Sequence, residues 1–253
     1  MPASPPSPSP STTVKSALRT LDIIEFVVAH PQGVVAQDIA GALAIPVSSL
    51  SYLLSTLAER GYLRRDGRRY LPGPGLERLR APAQALTLEE RAAPLVRALR
   101  GELNETCSFM VRKEWSVEAL VTEASAQALR YAIDAGARKP MHSLASGKAI
   151  LAALPEAELA RYFASSERAR FTARTLVAEA DLRAELDRIR HEGFAQSCEE
   201  DLLGICGLGC AVVADGEALG AFAVAIPAVR YDDALRERAV ALLKRAAIAL
   251  TSA

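Results

Sequence analysis

The period of the apolar residues changes at Gly61, and that change restricts the fold more than any other feature of the chain. Before it, Leu50, Leu53, Leu54 and Leu57 recur at helical spacing, the stripe of a helix with one buried side. After it, "YLRRDGRRYL" alternates and turns about Asp66-Gly67, a dipeptide that favours a tight hairpin. Pro46 stands at the first turn of the helix, where its missing N–H costs nothing, and Gly61 ends it in the left-handed position. Upstream, "VVAQDIAGALAI" gives a short helix with Ile39 and Leu43 on one face. Leu18, Leu21, Ile24 and Val28 mark an earlier helix, stopped by Pro31 and Gly33. Two helices joined by a tight turn, preceded by a packing helix and followed by a basic hairpin, predict a winged helix-turn-helix over residues 14–73.

Charge divides the labour within that unit. From Val47 to Glu59 there is no Lys or Arg, yet Arg60, Arg64, Arg65, Arg68 and Arg69 follow at once. Residues 1–80 carry nine Lys or Arg against six Asp or Glu, whereas the whole chain is formally neutral. The positive end is the place for a polyanionic partner. Affinity for a duplex comes mostly from neutralised phosphates, and sequence is read on base edges. With its leucines inward, the helix leaves Ser48, Ser49, Ser51, Tyr52 and Ser55 on or near the exposed side, where hydroxyls and a phenol can reach phosphates, base edges or a thymine methyl. The helix is expected to read and the arginines to attract. Elsewhere such a cluster is a solvated hairpin, and such serines are a helix cap or indifferent surface; directly after a helix-turn-helix the DNA reading takes precedence.

"MPASPPSPSPSTT" is too poor in apolar side chains to offset the entropy of ordering and predicts a disordered tail over residues 1–13. "LPGPGLERLRAPAQ" is punctuated by Pro and Gly and marks a linker over residues 74–86 that contains a short helix. A second domain over residues 87–253 opens on a capping box, Thr87 with Glu90, and a helix through Arg100. "TCSFMVRKEWSVEALVTEA" predicts two strands and "LRYAI" a third. A helix pair broken by Pro155, a helix bearing Leu182, Leu186 and Ile189 and closed by Gly193, and a hairpin about Asp215-Gly216 follow. Leu235, Ala239, Leu242 and Ala246 mark a last helix. Helices flank an antiparallel sheet, so the fold class is α+β in two domains.

Cys107, Cys198, Cys206 and Cys210 match no zinc spacing, and no cofactor motif is present. The thiols are expected to be reduced, small buried residues of a cytoplasmic protein. No apolar run is long enough for a membrane span. A thiol hydrolase using a cysteine with His142 or His191 lacks any motif that brings nucleophile and base together, so no catalytic residue is assigned. Glu199 and Glu200 are adjacent and, on a strand, point to opposite faces rather than forming a catalytic pair.

In order and at matching intervals, "GYLRRDGRRYLPG", "PMHSLASGKAILAALPEAEL", "RIRHEGFAQSCEEDLLGI" and "VVADGEALGAFAVAIP" resemble the IclR family of bacterial transcriptional regulators, from Val14 to Ala253. The resemblance implies a C-terminal effector-binding domain of GAF-like fold and a homo-oligomer, dimer or tetramer, on double-stranded operator DNA. Members commonly carry a basic residue at the place of Tyr52 and often one near Val47; their loss here implies weaker phosphate anchoring and a different base preference. The effector pocket implied by matching positions is lined by Ala128 and Tyr131 on the third strand, Ala145 and Ser146 before "GKAIL", Ser197, Gly207, and Ala223 with Ala225 on the last strand. Members that bind small oxoacids place hydroxyls on the last strand and a carboxylate at the place of Ser197, where this chain has methyl groups and a serine. A buried carboxylate left without donors costs several kcal/mol. A roomier, less polar cavity for an aromatic or larger hydrophobic effector is therefore expected, with Tyr131, Ser146, Ser197, His142 and the N–H groups near Ser146 as donors. Close packing of a helix on the small residues Ala223 and Ala225, and a structural role for His142, are the competing explanations. A small-molecule sensor with weakened DNA binding is the alternative to a full regulator.

Overall fold

In the computed structural model, which describes residues 14–80 and 86–251, α1 (Lys15–Val28), β1 (Val34–Val35), α2 (Ala36–Leu43) and α3 (Val47–Glu59) are followed by the hairpin β2 (Leu63–Asp66) and β3 (Arg69–Pro72), then α4 (Gly75–Arg80). The stretch read as a tail, residues 1–13, lies outside the described residues, as do 81–85. The chain forms two compact units that divide between Ala85 and Leu86. In the first, Leu50, Leu54 and Leu57 of α3 join Ile23, Val27, Ile39 and Leu63 in one core. Gly61 takes the left-handed conformation after α3, as its position predicts. The small sheet runs β1-β3-β2, so the wing is anchored through β3.

Two local readings are corrected. The hairpin's paired ends are Asp66 and Arg69, so its two central residues are Gly67 and Arg68, with Gly67 at positive φ, one residue beyond the expected turn. The buried face of α1 is set by Ile23 and Val27, while Leu18, Leu21 and Val28 are exposed. Apolar residues ring this helix, and periodicity alone does not choose among its faces.

The second unit runs α5 (Leu88–Leu103), β4 (Thr106–Lys113), β5 (Ser116–Glu123), β6 (Arg138–Pro140), α6 (Ala145–Ala153), α7 (Glu156–Ser165), α8 (Glu179–Glu192), β7 (Ala195–Cys198), β8 (Ile205–Ala214), β9 (Glu217–Pro227) and α9 (Asp233–Thr251). Its antiparallel sheet has the order β6-β5-β4-β9-β8-β7. One face packs on α5 and α9 through Phe109, Leu208, Phe222, Val224, Val96 and Leu243. The other packs on α6, α7 and α8 through Met110, Ala221, Ile150, Leu159 and Leu186. Helices on both faces explain why β8 and β9 are apolar nearly throughout instead of alternating.

The capping box at Thr87 is formed, since the Glu90 N–H donates to Oγ1 of Thr87 and the Thr87 N–H to the Glu90 carboxylate. The helices about Pro155, the close at Gly193 and the turn at Asp215-Gly216 also stand where the residues place them. "LRYAI" is not a strand. The segment before Arg138 crosses without ladder pairing, and β5 takes Arg138–Pro140 as its edge partner. The spacing of Tyr131 and Ile133 reflects a cavity wall, described below.

The thiols depart from expectation as well. Cys198 and Cys206 are directly paired across β7 and β8, Cα to Cα 4.1 Å, and are joined as a disulfide. Sequence spacing carries no information about a partner brought opposite by strand register. Cys107 and Cys210 are buried free thiols, as expected, and burial pushes each up to about 12. Among the described residues no single helix is long and apolar enough to cross a membrane, and no cluster of His, Cys, Asp or Glu is arranged to hold a metal ion.

Candidate DNA-reading face and ligand chamber

Helix α3 buries its leucines and turns its polar side outward. Ser48, Ser51, Tyr52 and Ser55 are exposed, Tyr52 to 78%, while Ser49 is half-buried. Two of the hydroxyls are already committed as donors: Ser51 Oγ to the Val47 carbonyl at 2.9 Å and Ser55 Oγ to Glu59 at 2.9 Å. Toward a duplex they keep only acceptor capacity, which suits an adenine or cytosine amino group better than a phosphate. Ser48 and the Tyr52 phenol carry no such bond, and they are the freer contacts of this face.

The five arginines are not equivalent. Arg60, Arg64, Arg65, Arg68 and Arg69 are all exposed, with Arg64 3.8 Å from Asp66. Arg65 donates to the Gly67 carbonyl at 3.0 Å and lies over the Tyr70 ring, which fixes its direction. Arg69 donates to the Gly33 carbonyl at 2.6 Å and so ties the wing to the segment before β1. Arg69 therefore holds the wing in position, and Arg60, Arg64, Arg65 and Arg68 stand exposed.

In the second unit a chamber opens between the sheet and the start of α6. Thr106, Ser108 and Met110 of β4 face it, as do Ile205 and Gly207 of β8 and Ala223 and Ala225 of β9, while Leu208 and Val224, whose side chains pack on the opposite face, border it with their backbone. Tyr131 and Ile133 close one side, Leu144, Ala145 and Ser146 another, and Ser197, Asp201 and Leu202 a third. Of the positions carried over from the resemblance, Tyr131, Ala145, Ser146, Ser197, Gly207, Ala223 and Ala225 come together here. Ala128 does not: it is exposed in the segment between β5 and β6 that reaches the chamber only at Tyr131 and Ile133.

The glycines of β8 let α6 approach. A Cβ at Gly209 would lie 2.8 Å from the Ala145 carbonyl carbon and 2.9 Å from the Ser146 nitrogen. The first turn of α6 thus rests on the strand, and the Ala145 N–H donates to Ser197 Oγ at 3.1 Å. Ladder register places Thr106 opposite Ala225 and Ser108 opposite Ala223, so hydroxyls flank the methyl groups. Both are engaged: Thr106 Oγ1 donates to the Tyr131 carbonyl at 2.7 Å, and Ser108 pairs with Thr122 at 3.1 Å. The chamber is partly open to the surface and its volume is about 50 Å³. That is smaller than expected, since Met110, Ile133, Leu144 and Leu202 converge on the space the alanines leave. A cavity of about 150 Å³ holds benzene, so an aromatic ring requires part of this wall to move.

Behind the chamber Lys148 of α6 is almost fully buried. Its Nζ lies 2.8 Å from Glu200 and 3.1 Å from Glu185 of α8. Burial raises the Glu200 carboxyl above its ordinary range, an effect the Lys148 charge only partly offsets. Glu199, at positive φ just past β7, pairs with Arg174. The two glutamates are loop residues with separate partners, not opposite faces of one strand.

The chain matches two family models: the IclR helix-turn-helix domain over residues 16–67 and the bacterial transcriptional regulator IclR C-terminal domain over residues 81–252. The chain belongs to the IclR family. It is 32% identical over 227 residues to an HTH-type transcriptional regulator of Mycobacterium tuberculosis, covering 89% of this chain and 87% of that protein. It is 26% identical over 240 residues to the transcriptional repressor IclR of Escherichia coli, covering 92% and 88%. A crystal structure of an IclR homolog from Microbacterium hydrocarbonoxydans, complexed with 4-hydroxybenzoate, has the same fold, with a TM-score of 0.59 at 20% identity over 94% of this chain and 98% of that one. The protein is accordingly a transcriptional regulator with an N-terminal helix-turn-helix DNA-binding domain and a C-terminal domain of the IclR type.

Several chamber residues of this IclR regulator escaped the sequence reading. Thr106, Ser108 and Met110 are spaced two apart on β4, a signal that a test for period two along "TCSFMV" would have found. Asp201 and Leu202 gave no such signal, because a loop residue's direction is not set by any period. His142 does not line the chamber; it stacks on Phe171, and its Nε2 lies 2.9 Å from the Ala169 carbonyl. Burial pushes its imidazole below the ordinary range, partly countered by that carbonyl.

Proposed function

We propose that this regulator grips operator DNA through Arg60, Arg64, Arg65 and Arg68, reads it through Ser48, Ser49, Ser51 and Tyr52, and responds to an aromatic or weakly polar carboxylate effector in the chamber of the second unit. The observation that carries the effector class is the chamber's lining: apolar side chains dominate, Ala223 and Ala225 stand where hydroxyls would hold a small oxoacid, and Thr106 and Ser108 are taken by protein partners. Ser146 and Tyr131 remain as polar handles. The 4-hydroxybenzoate in the Microbacterium hydrocarbonoxydans homolog is of the same chemical class.

The protein works as a homo-oligomer in the cytoplasm. Two reading heads match half-sites about one helical turn apart or a multiple of it, and the effector shifts their spacing. Thermal shifts of the full chain with 4-hydroxybenzoate, other aromatic carboxylates and short oxoacids test the effector class. A ligand at roughly 100 times its dissociation constant adds about 2.7 kcal/mol of stability. Stabilisation by aromatic acids is the expected result; stabilisation by short oxoacids alone would overturn it.

A further inference from the structure

We propose that Cys198 and Cys206 are a reversible dithiol–disulfide couple that sets how far the wall of the ligand chamber can open. The inference rests on the chamber being the effector site. The two sulfurs close a ring over residues 199–205, the loop between β7 and β8 together with the first residue of β8. Asp201, Leu202 and Ile205 of that ring line the chamber, and so do Ser197 and Gly207, the next residues inward from the two cysteines. The bond is therefore a clasp at the base of a chamber wall. With a volume of about 50 Å³, the chamber takes in a whole ring only when that wall yields. The tip has room to move: Leu202 and Leu203 are 52% and 70% exposed, and Gly204 is at positive φ.

Polar ties survive reduction at the loop's base, where Lys148 and Thr175 hold Glu200 and Thr172 and Arg174 hold Glu199, and along its length. Glu199 N–H donates to the Ile205 carbonyl, Gly204 N–H to the Glu199 carboxylate, and Lys139 and Ser143 hold Asp201. Reduction thus loosens the loop without unfolding it.

Of the pair, Cys206 is buried and Cys198 offers the accessible sulfur. Cys198 is half-buried and borders a groove lined by Arg174, Arg188 and Gln196, whose amide lies 3.5 Å from its sulfur. Cys107 and Cys210 are buried with thiols pushed up to about 12, so they do not compete. A DNA-binding regulator works where bacterial DNA lies, in a compartment kept reducing, and disulfides there are typically transient and redox-sensing. In the exchange, the thiolate of a low-molecular-weight thiol attacks Cys198 Sγ, the Cys198–Cys206 bond breaks, and Cys206 leaves as a thiolate that takes up a proton. A second thiol displaces Cys198 from the mixed disulfide. The sum is protein disulfide plus two thiols giving protein dithiol plus one small disulfide, with two electrons and two protons passed; excess small disulfide drives the reverse.

The test uses the full chain equilibrated across glutathione and glutathione disulfide mixtures, then quenched in acid and alkylated with iodoacetamide for peptide mass spectrometry. Cys198 and Cys206 should gain and lose two alkyl groups together in one transition, with Cys107 and Cys210 unlabelled until denaturant is added. Amide hydrogen exchange of residues 201–205 should be roughly tenfold faster in the dithiol form, and the C198S/C206S variant should match that form. Two independently labelled cysteines, a bond that never forms, or a loop that exchanges equally in both states would overturn the proposal. If the variant fails to fold, reduction of the wild-type chain still decides the loop measurement. Loss of DNA or effector binding with these thiol readouts intact would count against the proposed function and not against the couple.

Discussion

Arg68 and Arg69 are neighbours in sequence with different work to do, and substitution separates them. Arg69 donates to the Gly33 carbonyl, so Arg69→Ala should lower the stability of the first unit by about 1.5–3 kcal/mol, the range for a charge-assisted hydrogen bond. Arg68→Ala should weaken DNA binding and leave the unfolding curve in place. Equal unfolding curves for the two variants would remove the anchoring role of Arg69. His142 gives a pH signature. Its folded pKa lies below the unfolded one, so the stability it contributes is present above the ordinary histidine range and is lost as pH falls through it. Thermal denaturation between pH 7.5 and 5 should show a steeper decline for wild type than for His142→Gln. Gly209→Ala drives a methyl group into the first turn of α6 and should cost about 1–3 kcal/mol, where Gly216→Ala, with open space around it, meets only the strain of its positive φ.

Elements show where a sequence is informative and where it falls silent. The α3 stripe, the wing, the capping box at Thr87 and the close at Gly193 were legible because each is decided within a few residues by periodicity or backbone chirality. The face of α1 was not, since Leu18, Leu21, Ile23, Ile24, Val27 and Val28 encircle it and only the neighbouring helices select Ile23 and Val27. "LRYAI" misled because side chains turned toward a cavity alternate as those of a strand do. The Cys198–Cys206 bond and the Lys148 ion pairs are products of register and packing between distant segments. Lys148 ties α6, α8 and the loop after β7 together. Lys148→Met should therefore cost about 3–5 kcal/mol by leaving the buried Glu200 without its cation, while Glu185 keeps Arg188. A variant as stable as wild type in urea would show that water, not Lys148, satisfies that carboxylate.

At the scale of the whole molecule, attraction is assigned to a hairpin, reading to a helix with no cation, and response to a chamber in a separate unit. Affinity should then be strongly salt-dependent even though α3 is neutral from Ser48 to Ala58. The most direct test is the equilibrium binding of the full chain to its upstream intergenic DNA at several salt concentrations, for wild type and for R64A/R68A. The expected result is a linear fall of log affinity with log salt, its slope reduced by roughly 0.9 for each phosphate contact removed, with base preference retained. A slope identical in the two proteins would contradict the assignment of the wing to the phosphates.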